Sequence, residues 1–322
     1  MKRKRRLKKK PIAVLICTII LIVVLSIFIS RTLKELKYRE TLEYKLLNQG
    51  YTKEEIKILE EKTNEEFMNS LLETEYDKMY LEIINEKYYI KGNLQKYIDY
   101  YEEHLNSKSY EVITTINVGA DRDYYSNAVD SDTSKEKLLL VNKYSKLSEN
   151  YEPTDLVDIS NQYSYGENQK LRSEAYEWYI TMYNMAKNEG IKIIVNSSYR
   201  SYKDQDETYN YYLNNYSQEY TDAYAARPGF SEHQTGLAVD VIAPGYNRDT
   251  FDQSEAYKWL ENNAYKYGFI LRYPKDKEKI TGFNYEPWHY RYVGQEAAKK
   301  IHEENITYDE YYAYYVENVS NS

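Results

Sequence analysis

Residues 12–29, IAVLICTIILIVVLSIFI, form an unbroken run of 18 uncharged residues, most of them branched or large and apolar. As a helix this run is just long enough to cross the hydrocarbon core of a bilayer. Beyond it the apolar positions change period. Leu33, Leu36, Leu42 and Leu46 recur at helical spacing, and Thr52 with Glu55 and Thr63 with Glu66 have the spacing of capping boxes, so several short helices are expected over 33–106. Gln49-Gly50-Tyr51 marks the break between the first two. At 110–118 the sequence YEVITTINV is β-branched and aromatic and predicts a strand, as does LLLVNKY from Leu138, with the turn-rich stretch 119–137 between them.

From about residue 136 the pattern predicts one mixed domain. It contains a helix from Leu171 to Asn188, a strand at 191–196, a helix over about 202–214 and a strand at 236–242. A helix from Ser254 to Tyr267, a strand at 269–273, an extended piece near 288–293 and a terminal helix from about 295 follow. The irregular alternation, without a GxGxxG or P-loop pattern, favours an α+β fold over a doubly wound sheet. The expected organisation is a basic tail at 1–11, a transmembrane anchor at 12–30 and a mainly helical spacer at 31–135. The mixed domain then occupies 136–312, with a C-terminal tail at 313–322.

Charge sharpens the first of these segments. The chain carries −8 overall, yet residues 1–30 hold eight Lys/Arg and no acid, leaving 35 basic against 51 acidic residues, or −16, in the remainder. A basic flank before an apolar run predicts a cytoplasmic N-terminus and an exported body. The competing reading, a cleaved signal peptide, lacks an Ala-x-Ala pattern at Ser30-Arg31-Thr32. An acidic body is a poor nucleic-acid surface, and residues 51–80, with nine acids against four bases, do not suit a DNA-binding helix pair. The single cysteine, Cys17, lies inside the apolar run, so any metal site must use His, Asp or Glu. Abundant Tyr, Lys, Asn and Ile suit the AT-rich genome of a low-GC Gram-positive bacterium.

Four histidines are present, and His104 and His302 sit in charged helical contexts that suggest solvated side chains. His233 lies in FSEHQTGLAVDV, where a polar loop enters an apolar strand carrying one isolated acid, Asp240. A carboxylate in such a place requires a partner or a metal, although a strand-end carboxylate bonded to a backbone amide is an alternative. The second cluster, EPWHYRYVG, carries Glu286 and His289, and an aromatic edge strand with a satisfied histidine is its plainer reading. Together they offer two imidazoles, one carboxylate and a spare carboxylate, a set suited to catalytic zinc with an open fourth position and a general base.

Three ordered blocks, SSYRSYKDQ at 197–205, SEHQTGLAVDV at 231–241 and EPWHYRYVG at 286–294, make residues 136–305 resemble the VanY-type D-alanyl-D-alanine carboxypeptidases. These belong to the zinc peptidase superfamily that includes lysostaphin and hedgehog. The resemblance implies an α+β domain with a central antiparallel sheet carrying one zinc ion held by His233, Asp240 and His289, with Glu286 as catalytic base. It further implies that Arg200 faces the substrate carbonyl or terminal carboxylate and that Gln205 and Ser231 add hydrogen bonds. Trp288 either walls the pocket or packs in the core. Ser198 stands where many members have glycine, which would add bulk to that loop.

The expected function is a membrane-anchored, extracytoplasmic zinc carboxypeptidase removing the terminal D-alanine of peptidoglycan stem peptides, with the lipid bilayer as its second partner. An LD-carboxypeptidase or endopeptidase on the same fold is the nearest alternative. A non-catalytic cell-wall binding protein is the alternative of another class.

Overall fold

The computed structural model describes residues 9–317 and divides the chain into two compact units, residues 1–105 and 106–322. Most of the basic tail and the last five residues lie outside the described residues. In the first unit, helix α1 (Lys9–Arg39) contains the whole apolar run, and its large side chains from Val14 to Leu36 are exposed. It is one helix long and apolar enough to cross a membrane.

Short helices follow at Leu42–Gln49, Lys53–Lys62, Glu65–Ser70, Lys78–Asn85 and Leu94–Glu103. Leu46, Leu59, Ile83, Ile84 and Tyr97 form their buried side. Gly50 ends the first of them in the left-handed region, and Thr52 and Glu55 form a reciprocal capping box. The second expected box is absent. Buried Thr63 turns its hydroxyl back to the Leu59 carbonyl at 2.6 Å, and Asn64 caps the next helix by accepting from Phe67 N–H at 2.8 Å.

The second unit starts well before residue 136, so the expected spacer belongs to both units. Its first element corrects the expected strand at 110–118: Ser109–Val118 is a helix, α2. The Glu111 carboxylate accepts the Lys108 N–H at its start, Gly119 closes its end in the left-handed region, and Val112, Ile113 and Ile116 share a buried face. Packing and end-capping outweigh a β-propensity worth only tenths of a kcal/mol to about 1 kcal/mol per residue. The run from Leu138 is also mostly irregular. The Asn142 side chain accepts from Tyr144 and Ser145 N–H, both at 2.9 Å, and turns the chain, so only Ser145–Lys146 pairs as strand, with Val129–Asp130.

Lys170–Arg172 pairs with Leu156–Asp158, and helix α3 (Ser173–Asn188) therefore begins two residues later than expected. Helices α4 (Tyr202–Asn215) and α5 (Gln218–Tyr224) come next, followed later by α6 (Glu255–Asn263) and α7 (Gln295–Glu304). The central sheet is antiparallel throughout: β1 (Ile194–Ser197), β2 (Ala238–Ile242), β3 (Phe269–Leu271) and β4 (His289–Tyr292), in spatial order β1-β2-β4-β3. Alternation assigns its faces. Val239, Val241, Tyr290 and Tyr292 enter a core with Tyr179 and Met182 of α3 and Leu260 of α6. Asp240, His289 and Arg291 occupy the alternate positions. The segment assigned to a C-terminal tail is helical as far as Glu317, with Ala313, Tyr314 and Val316 buried and the Tyr314 hydroxyl 3.2 Å from that of Thr114.

Candidate active site

Sheet register brings the two motif blocks together. Asp240 on β2 is the direct partner of His289 on β4, and Ser197 on β1 pairs with Asp240 from the other side. Directly opposed residues present their side chains on one face within about 5 Å. His233 arrives from a short turn, Glu232–Thr235, just before β2. Gly236 closes this turn at φ 66°, and a Cβ there would lie 2.7 Å from a Leu156 methyl, so both conformation and space require glycine.

The three ligand atoms of His233, Asp240 and His289 lie within 4.8 Å of one another, and all three residues are buried. His233 Nε2 is 3.4 Å and His289 Nδ1 3.1 Å from Asp240 Oδ1. The far nitrogen of His233 is tied down by a hydrogen bond. His233 Nδ1 lies 2.6 Å from the Ser198 carbonyl, which can only accept, so Nδ1 carries the proton and Nε2 presents its lone pair. Burial and the charge of Arg200 lower His233 to about 4, keeping it neutral at pH 7. Behind His289, Nε2 faces Glu232 Oε2 at 3.6 Å. Burial alone would raise the Asp240 carboxyl, but the two imidazoles and Arg248 outweigh it and hold it well below its ordinary value. Burial opposes the charge on His289 too, but its contacts with Asp240 and Glu232 carry it up to about 9. Two imidazoles and a carboxylate converging in this way fit a divalent metal of the zinc type.

Glu286 precedes β4, and its Oε2 is 3.7 Å from His289 Nδ1. Glu286 is 6% exposed, and burial raises its carboxyl to about 7 against the pull of His289. All these groups open on a cavity of about 200 Å³. Arg200 lines it with a buried Nε that has no partner in the structure, and burial pulls its guanidinium down. Gln205, on α4, donates Nε2–H to the Ala226 carbonyl at 2.7 Å, leaving a buried Oε1 unpartnered. Ser231 lines the cavity while its hydroxyl accepts the His233 N–H at 3.4 Å. Trp288 combines both expected roles, since it walls the cavity and packs on the core. Ser198 is absorbed without loss: its hydroxyl donates to Gln169 Oε1 at 2.7 Å and accepts from Lys170 N–H at 2.9 Å. His104 and His302 are exposed, stack on Tyr100 and Tyr265, and do not line the cavity.

Two groups escaped the sequence reading. Arg248 donates to Asp240 Oδ2 at 2.9 Å, which leaves Oδ1 as the oxygen shared with the histidines. Glu232 is fully buried, with Oε1 accepting from Arg272 Nε at 2.8 Å and Arg291 Nη1 at 3.0 Å, while Arg272 also binds Asp309 at 2.6 Å. The isolation argument applied to Asp240 would have flagged Arg272 and Arg291, each a lone charge in an apolar strand.

Several known proteins are similar to this chain. Residues 168–295 match the VanY family model, described as D-alanyl-D-alanine carboxypeptidase. The chain is 44% identical over 184 residues to YodJ of Bacillus subtilis, a match covering 54% of this chain and 66% of that protein. It is 36% identical over 190 residues to the bifunctional D-Ala-D-Ala dipeptidase and carboxypeptidase VanXYC of Enterococcus gallinarum, covering 56% of this chain and 96% of the relative. Among solved structures, the LD-carboxypeptidase LdcB superposes with a TM-score of 0.55 at 40% identity, covering 59% of this chain and 91% of LdcB. The chain belongs to the VanY-type D-alanyl-D-alanine carboxypeptidase family.

Proposed function

We propose that this protein is a zinc peptidase, anchored by α1 with its N-terminus in the cytoplasm, that removes the terminal D-alanine from peptidoglycan stem peptides outside the cell. The convergence of His233 Nε2, Asp240 Oδ1 and His289 Nδ1 beside the raised Glu286 carboxyl carries this reading. His233, Asp240 and His289 would hold the zinc, which when bound would supply a Lewis acid to polarise a carbonyl and ease deprotonation of water. Glu286, poised near neutrality, takes the proton of the attacking water and returns it to the leaving amine. Arg200 receives negative charge, either the terminal carboxylate or the developing oxyanion. The free Gln205 Oε1 accepts a peptide N–H.

The likeness to LdcB favours a second reading, cleavage of the tetrapeptide stem. Incubating the full-length protein in detergent with zinc and with tetra- and pentapeptide muropeptides, then weighing the products, separates the two. Loss of one alanine from the pentapeptide alone is expected. Cleavage of the tetrapeptide alone would establish the second reading, and cleavage of neither would leave a wall-binding role.

A further inference from the structure

Helices α4 and α5 carry a row of aromatic rings that catalysis does not use. Tyr212, Tyr216, Tyr220 and Tyr224 follow one another at intervals of four residues, across the junction of the two helices. Successive ring centroids are 5.9, 4.6 and 4.7 Å apart, with interplanar angles of 33°, 27° and 38°. Mutual stacking covers part of each ring, yet Tyr216, Tyr220 and Tyr224 remain 49%, 43% and 38% exposed. Single exposed aromatics are ordinary, but a contiguous row marks a binding surface. The row is continuous with the candidate active site, because Tyr212, Tyr220 and Tyr224 line the same cavity as Glu286.

The neighbouring charges narrow the occupant. Residues 202–224 contain five acids, Asp204, Asp206, Glu207, Glu219 and Asp222, against one base, Lys203, and with Arg227 paired to Asp222 an excess of acid remains. Such a surface repels anionic polymers and lipid headgroups. Stacked tyrosine rings offer apolar contact to sugar C–H faces, and their hydroxyls hydrogen bonds to sugar hydroxyls. We propose that this tyrosine row is a saccharide platform that holds the uncharged glycan strand bearing the stem peptide. The proposal rests on the peptidase reading for its choice of polymer.

The test uses full-length protein in detergent, with Tyr216→Ala and Tyr216→Trp, because Tyr216 does not line the cavity. Binding is measured to chitooligosaccharides, as uncharged N-acetylated glycan chains, and to poly(glycerol phosphate), and hydrolysis to a free pentapeptide and the same pentapeptide on glycan. Tyr216→Ala is expected to weaken glycan binding about fivefold, the size of one stacking contact, while Tyr216→Trp retains it. The KM for the glycan-linked substrate rises by a similar factor with kcat unchanged, and the free peptide is unaffected. No glycan binding by the wild type, equal binding by Tyr216→Ala, or tighter binding of poly(glycerol phosphate) overturns the platform. Glycan binding that depends on Tyr216, in a protein that hydrolyses neither peptide, supports the platform and overturns the peptidase reading instead.

Discussion

The polar face of β4 carries two adjoining clusters of buried charge, around His289 and around Arg291, that solve the same physical problem in opposite ways. On the cavity side, His233, Asp240, His289, Glu286 and Arg200 share few complete hydrogen bonds, and the Arg200 Nε has none. Beside it, Glu232, Arg272, Arg291 and Asp309 interlock at 2.6 to 3.2 Å, with Arg291 also donating to the Leu139 and Tyr292 carbonyls. Buried charge is costly unless paired, so the rear cluster serves the fold while the front cluster holds its charges ready for a ligand. His289 belongs to both, with Nδ1 facing forward and Nε2 facing Glu232.

The sharpest way to break this contrast is Glu286→Gln, which keeps shape and removes the proton acceptor. With Glu286 as general base, kcat falls by about 10³-fold while zinc content, measured by atomic absorption, stays at the wild-type level. A variant retaining wild-type turnover would contradict the mechanism.

Glu232→Gln attacks the rear cluster. It leaves the buried Arg291 guanidinium with carbonyl partners only and costs about 3 to 5 kcal/mol of stability, read as a lowered denaturant midpoint. An unchanged midpoint would show that the network does not support the fold.

The two carboxyls also predict opposite pH dependences in the metal-free protein. Glu286 is raised from its ordinary 4.5 to about 7, so between these values the native state binds more protons and stability falls as pH rises. Glu232 is lowered: its burial opposes the charge, but Arg272 and Arg291 outweigh it, and its stabilisation is present above pH 4.5 and lost as pH falls below. Relative to wild type, Glu286→Gln should therefore gain stability from pH 4.5 to 7, whereas Glu232→Gln should approach wild type as the medium becomes more acid. Parallel curves for the two variants would erase the distinction between the clusters.

The smallest expected effect belongs to Arg248→Gln. Its side chain is 40% exposed and fixes only the outer oxygen of Asp240, so a loss of about tenfold in kcat/KM is expected, with faster zinc release to a chromophoric chelator. Equal zinc release from variant and wild type would limit Arg248 to packing.

Much of the site was legible because its signals are local. An isolated acid in an apolar strand singled out Asp240, the block EPWHYRYVG pointed to Glu286 and His289, the Thr52 box and Gly50 fixed helix ends, and the long apolar run stood out by length alone. Residues 109–118 misled because β-branched residues at positions 112, 113 and 116 satisfy a helical face as well as a strand. Thr63 misled because its hydroxyl had two possible acceptors or donors nearby, and burial decided between them.

The sequence by itself determined which residue types meet in the catalytic unit and which segments are periodic, since both follow from neighbours a few positions apart. Only tertiary structure decided that Asp240 faces His289 across 49 residues, that Glu232 is locked between Arg272 and Arg291, and that the tyrosine row reaches the cavity. These pairings depend on strand register and on the burial of specific charges, and neither is encoded in any single stretch of chain.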